Sequence, residues 1–224
     1  IVTKVVVQLQ PKLPSCHTAL CALQDYDSVT QLLGELKRSL GAGLTGFELM
    51  WDNYLDKVLE VVPDLQNPFA ESHPFYLLVE YKDSDEVTGA ERFEEALFSH
   101  LEAGLIVDAV IAQSHKDAER FWQIRDGIGE LLQVLGPVSN QDVSLSLTQL
   151  GVFTVDLETR LKDKYADMEV LLFGHIGDNN LHVVAYTGRA EDKAQINTDI
   201  MLMICEYAGA ITAEHGVGVN KKDF

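Results

Sequence analysis

The stretch from Met168 to Tyr186, MEVLLFGHIGDNNLHVVAY, decides how this chain folds. Two β-rich runs, Met168–Phe173 and Leu181–Tyr186, flank Gly177, Asp178, Asn179 and Asn180, residue types that tolerate left-handed turns. A connection this short joins antiparallel strands, because a parallel pair needs a crossover of roughly a dozen residues or more. Upstream, Asp142–Leu147 reads as a strand and Val155–Tyr165 as a helix; downstream, Ala190–Ala208 reads as a helix and Ile211–Val219 as a strand or loop.

The N-terminal half repeats the theme. Thr3–Gln10 has strand character and is broken by Pro11 and Pro14. Ser28 and Gln31 form a capping box ahead of Val29, Leu32, Leu33, Leu36 and Leu40 at helical spacing, with Gly41 ending the run. Phe47–Trp51 reads as a strand, Tyr54–Leu59 as a short helix, and Pro63–Pro74 as a proline-rich loop. Phe75–Lys82 is a strand, Ala90–Ala103 a helix and Ile106–Gln113 a strand; one long helix runs from Lys116 to Leu135, stopped by Gly136 and Pro137. The order resembles two βαββαβ units. The expected fold is therefore α+β, a mostly antiparallel sheet with helices on one face, built from ferredoxin-like repeats.

Composition narrows the function classes. With 17 basic against 35 acidic residues and a net charge of −18, the chain lacks the clustered Lys and Arg that a nucleic-acid backbone requires. Acidity of this degree reads as a solubility feature. No apolar run reaches the roughly 18 residues of a transmembrane helix, and the opening IVTKVVVQLQ lacks the parts of a signal peptide. The three cysteines, Cys16, Cys21 and Cys205, are too few for a disulfide scaffold and fit a reducing compartment. No initiator Met opens the chain and no closing element follows Lys221, so both ends read as cut.

Chemistry concentrates in two places. Within FGHIGDNNLH, His175 ends one strand and His182 begins the next. Across a hairpin, opposed residues have Cβ atoms roughly 4.5–5.5 Å apart, a spacing that lets two imidazoles share an ion. Two turn histidines bonded to backbone would explain the same spacing. Within TAEHGVGVNK, Glu214 and His215 are adjacent and precede Gly216 and Gly218, which allow close backbone approach to a ligand. Two His and one carboxylate make a three-ligand metal set with an open position. Neighbouring extended residues point apart, so Glu214 as a ligand leaves His215 free for acid–base work. A third feature is Arg125, one turn from Phe121 and Trp122 on an apolar helix face, either snorkelling or aimed into a site.

GHIGDNNLH followed by EHGVGVNK resembles the paired signature of the C-terminal domain of FAD-linked oxidases, the family of D-lactate dehydrogenases, glycolate oxidase flavoprotein subunits and D-2-hydroxyglutarate dehydrogenases. The likeness extends over essentially the whole chain: IVTKVVVQLQPKLP resembles that family's exit from the flavin domain, and GFELMWDNYL its S-x-F-E-x-[ML] segment. The resemblance implies that residues 1–224 are a substrate- and metal-binding C-terminal domain whose FAD-binding domain lies outside the chain. It implies His175, His182 and Glu214 as ligands of a divalent metal (zinc first, manganese or iron as alternatives) and His215 as the base that removes the substrate hydroxyl proton. It also implies Arg125 and Asn140 as substrate contacts, and Asn180, Gly216 and Lys221 as cofactor contacts. The activity implied is oxidation of a small D-2-hydroxyacid (D-lactate, glycolate or 2-hydroxyglutarate type), with hydride passing to the flavin and no activity in the isolated piece. The expected location is the cytoplasm, peripheral to a membrane or not, or the mitochondrial matrix; a homodimer stays open.

Three positions depart from the family pattern: Asn140 stands where Lys would help hold a carboxylate, Ser146 replaces Pro, and Asn179 replaces Gly. The loss of Lys weakens the case for a dicarboxylate substrate. There is no glycine-rich flavin loop, Rossmann fingerprint, flavin tether or G-x-S-x-G elbow in the sequence. A His₂Glu hydrolase and a non-catalytic accessory subunit are the alternatives to a dehydrogenase.

Overall fold

A computed structural model describes residues 2–9, 13–219, 221, 222 and 224. Among these, seven strands form one sheet: β1 Ser15–Leu23, β2 Leu44–Trp51, β3 Phe75–Asp83, β4 Asp108–Ile111, β5 Ser139–Ser144, β6 Glu169–His175 and β7 Asn180–Tyr186. The helices are α1 Tyr26–Leu40, α2 Asp52–Val61, α3 Glu86–Glu102, α4 His115–Asp126, α5 Ile128–Val134, α6 Leu147–Lys164 and α7 Lys193–Glu206. The strand order is β4-β1-β3-β2-β6-β7-β5, and the pairings among the described residues are antiparallel.

That order is the two-unit arrangement the element sequence implies. β1, α1, β2, β3, α3 and β4 give the ferredoxin-like order 4-1-3-2, with α2 inserted between β2 and β3. β5, α6, β6, β7 and α7 repeat it, and a single bridge between Ser144 and Ala210 stands where a fourth strand would lie. The units join along one seam, β2 against β6, which pairs Glu48 with His175, Leu49 with Gly174 and Met50 with Phe173.

The helices lie on both faces, not on one. Ala19, Cys21, Leu49, Leu77, Val79, Val170, Leu172 and Val183 face α1, α3, α6 and α7. Residues of opposite parity, including Leu20, Ala22, Met50, Leu78, Leu171 and Val184, pack against Tyr54, Leu55 and Val58 of α2, Phe121 and Ile124 of α4 and Leu131 of α5. Strands apolar at both parities need cover on both sides, so the expected helical layer is the larger of two.

Other differences have local causes. Residues 3–9 carry no strand pairing, and Val5, Val6, Val7 and Leu9 are exposed; Gln10 and Pro11, at the end of the expected strand, lie outside the described residues. The first strand instead follows Pro14. Asp25 rather than Ser28 caps α1, its Oδ1 accepting the Ser28 amide at 2.7 Å. The long helix divides at Gly127, where a Cβ would meet Val58 Cγ1 at 2.6 Å, so close packing against α2 demands glycine. α6 begins at Leu147, about two turns before the expected Val155.

Candidate metal centre

Strand alternation sends a row of polar side chains to the face covered by α2, α4 and α5. Glu48 on β2 pairs directly with His175 on β6; His182 on β7 lies opposite Phe173 on one side and Asp142 of β5 on the other. The β6–β7 link is a short turn over Ile176–Asp178, closed by Asn179 at φ 61°, the left-handed conformation expected of this stretch. Here the chain is so tight that a Cβ on Gly174 would stand 2.4 Å from the Asn180 carbonyl oxygen. The turn brings the rings of His175 and His182 to 5.5 Å between centroids, at 75° to each other. His182 also stacks on Phe173 at 4.8 Å.

Glu214 completes the group. Its Oε1 lies 3.5 Å from His175 Nε2, and ligand atoms of His175, His182 and Glu214 all fall within 4.8 Å of one another. The donor set suits a divalent ion. Burial, with the nearby charges of Arg125 and His175, pulls His182 down to about 4, so its imidazole is neutral and able to ligate near pH 7. Glu214 is half-exposed, which leaves its side chain room to turn.

Behind His175 sits a buried charge pair. Glu48 is 6% exposed and Arg125 8%. Arg125 Nε and Nη2 each lie 2.9 Å from Glu48 Oε2, and Nη1 reaches Asp126 Oδ1 at 3.0 Å. The Glu48 oxygens lie 2.9 and 2.7 Å from His175 Nδ1. Burial alone would raise the Glu48 pKa, but the hydrogen bond with His175 and the charge of Arg125 outweigh it and lower it. In return the bond to Glu48 raises His175 against the opposing effect of burial.

The loop carrying Glu214 and His215 is tied down by Asp142, only 3% exposed. Its Oδ2 accepts the amides of Ala213, Glu214 and His215 at 2.9, 2.7 and 3.0 Å, and the Thr212 hydroxyl at 3.2 Å. Its Oδ1 takes Lys221 Nζ at 2.9 Å, and the same ammonium donates to the carbonyls of Asp142 and Ile211. Burial acts to raise the Asp142 pKa, yet these donors hold it well below the ordinary carboxylate range. The adjacent side chains diverge, though from a bend that turns three successive amides onto Asp142 and not from an extended strand: Glu214 turns toward His175, while His215 Nδ1 stands 3.7 Å from Asp142 Oδ1. The His215 side chain is 68% exposed, its ring 6.2 Å from that of His182.

The remaining expected positions are placed unevenly. Arg125 is at the site, but buried and paired rather than snorkelling. Asn180 follows His175 around the hairpin, 2% exposed, and neither end of its carboxamide finds a partner among the described residues. Asn140 is exposed on β5 and lines a hollow of about 250 Å³ with His215, Gly216 and Lys221. Gly216 has φ 75°, which favours glycine. Lys221 differs most from expectation: its three N–H donors are committed to Asp142 and Ile211, which makes it a clamp on the loop. Sequence reasoning missed Glu48 and Asp142. Each is an acid inside a strand, an expensive place for a charge without a partner.

Comparison with known proteins agrees with this architecture. The family model "FAD linked oxidases, C-terminal domain" matches residues 13–224. The chain belongs to that family. It is 41% identical over 223 residues to the mitochondrial D-2-hydroxyglutarate dehydrogenase of Arabidopsis thaliana, covering 99% of this chain and 39% of that protein. It is 35% identical over 233 residues to the D-2-hydroxyglutarate dehydrogenase of Stutzerimonas stutzeri (strain A1501), covering 98% and 48% respectively. The chain thus spans less than half of either relative's length. Among solved structures, p-cresol methylhydroxylase superposes with TM-score 0.62 at 10% identity, covering 90% of this chain and 45% of that one, a likeness of fold. Among the described residues no helix is long and apolar enough to cross a membrane.

Proposed function

We propose that this chain is the substrate- and metal-binding part of an FAD-dependent dehydrogenase that oxidises a D-2-hydroxyacid, with D-2-hydroxyglutarate as the favoured substrate. The observation that carries the proposal is the convergence of His175, His182 and Glu214 within 4.8 Å, beside an exposed His215, in a chain of this family. The relatives' names support the dicarboxylate, against the expectation drawn from Asn140 alone. Family membership also favours a dehydrogenase over a His₂Glu hydrolase. FAD would be held by a domain outside residues 1–224, and the mitochondrial relative supports a mitochondrial setting.

In this reading His175 Nε2, His182 and a Glu214 oxygen would hold the metal, with zinc as the first candidate. When bound, the metal would supply positive charge that eases formation of negative charge on the substrate hydroxyl, and the flavin would supply the hydride acceptor. His182 stays neutral and ligating through the physiological range. His215, exposed and turned away from Glu214, takes the hydroxyl proton, the acid–base role an accessible imidazole can fill. Of the five N–H groups on Arg125, contacts with Glu48 and Asp126 engage three, which leaves donors for the substrate's α-carboxylate. Asn140, which lines the hollow beside His215, would hydrogen-bond a second, distal carboxylate.

The test is anaerobic reduction of bound FAD in the flavin-containing protein. D-2-hydroxyglutarate should bleach the flavin in the parent and not in His215→Asn, with D-lactate slower. Equal bleaching in His215→Asn removes the assigned base; no bleaching by any D-2-hydroxyacid removes the whole reading.

A further inference from the structure

The seam between the two ferredoxin-like units holds a buried carboxylate that the proposed reaction does not use directly. Glu48 belongs to the first unit and His175 to the second, 127 residues apart in sequence, and strand register sets them directly opposite. A charge at this depth is costly without a task. Pairing with Arg125 neutralises it, yet Glu48 also faces the imidazole, with its oxygens 2.9 and 2.7 Å from Nδ1.

A carboxylate only accepts hydrogen bonds. At these distances Nδ1 must therefore carry a hydrogen, and in the neutral ring Nε2 is left with its lone pair. Nε2 is the atom 3.5 Å from Glu214 Oε1, on the side where the candidate ligand atoms gather. Arg125 Nη2 lies 2.9 Å from Nε2 but also 3.2 Å from Nδ1. A donor on the Nε2 lone-pair axis could not be that close to both nitrogens, so the guanidinium rests against the ring and leaves that axis open.

We propose that Glu48 is a positioning residue: it fixes His175 in the Nδ1–H tautomer and aims Nε2 at the metal, while anchoring Arg125 beside the same ring. The inference rests on the metal reading above. It makes the β2–β6 seam the device by which one unit sets the ligand of the other. Partners of this kind behind a ligating histidine typically change metal affinity by about 10–100-fold.

The experiment is a zinc titration against a competing chelator, using metal-stripped full-length protein that retains its flavin. Glu48→Gln should bind zinc about 10–100-fold more weakly than the parent, and Glu48→Asp should recover part of the loss. Circular dichroism checks that both variants are folded. Binding by folded Glu48→Gln within about twofold of the parent overturns the proposal. Should the variants not fold, nitrogen NMR of histidine-labelled, metal-free parent at about pH 9, above the histidine range, decides it. Hydrogen on Nδ1 of His175 supports the role, and hydrogen on Nε2 overturns it. Failure of the parent to take up zinc overturns the metal reading, whereas the tautomer measurement bears on Glu48 independently.

Discussion

Replacing Asp142 by Asn removes a negative charge from beneath the loop that carries Glu214 and His215, with almost no change in volume. In the parent, one oxygen accepts three consecutive amides at 2.7–3.0 Å and the other takes the Lys221 ammonium at 2.9 Å. Hydrogen bonds to a charged group contribute about 1.5–3 kcal/mol each, against about 1 kcal/mol for neutral pairs. Three amide bonds each weakened by about 1 kcal/mol, discounted for the water this exposed loop can reach, give a loss of about 2–3 kcal/mol in holding the loop closed. Amide exchange at residues 213–215 should then quicken by about 30–150-fold, since 1.4 kcal/mol is tenfold.

The pH dependence carries a sign. The folded-state pKa of Asp142 lies below the ordinary carboxylate value, so its contribution is present above that ordinary value of about 3.9 and is lost as pH falls through the folded one. The stability difference between parent and Asp142→Asn should thus be constant from about pH 5 to 8 and shrink below about pH 4. Hydrogen exchange followed by mass spectrometry, with urea unfolding across that range, measures both. Unchanged exchange at 213–215, or a difference that grows on acidification, refutes the reasoning.

Other positions give shorter tests. Gly174→Ala should destabilise the protein by about 1–3 kcal/mol or more in urea unfolding, because its Cβ would meet backbone at 2.4 Å with nothing flexible to yield. Arg125→Met should cost up to about 3–5 kcal/mol by leaving the buried Glu48 without its guanidinium counter-charge and with only the His175 contact, and the double variant with Glu48→Gln should recover much of that loss. Cys21, fully buried and pushed up to about 12, should resist thiol reagents until the protein unfolds, while the exposed Cys16 and Cys205 react in the folded state.

What the sequence revealed follows from where information is local. The β6–β7 hairpin was legible because its turn residues and flanking apolar runs are contiguous, and the same contiguity exposed His175 and His182 as neighbours. Glu214 and His215 do point apart, as expected for neighbours, but the backbone there is a bend gathered on Asp142 and not the extended segment the expectation assumed. β1 was missed because Ser15–Leu23 is buried on both faces for most of its length, so it lacks the alternation that marks a half-exposed strand. Val5, Val6 and Val7 have strand-forming side chains, yet residues 3–9 pair with no strand here, and propensity without a partner strand misled. Glu48 and Asp142 were invisible as site residues because their partners come from register and from a loop 71–73 residues away. Nothing in the sequence around Lys221 announces its contact with Asp142.

The most direct test of the central claim is elemental analysis of protein purified without chelator, in the parent and in His175→Ala, His182→Ala and Glu214→Ala. The expected result is about one divalent ion per chain in the parent and loss of it in each folded variant. A metal-free parent whose flavin is still reduced by D-2-hydroxyglutarate, or full metal retention in the three variants, contradicts it.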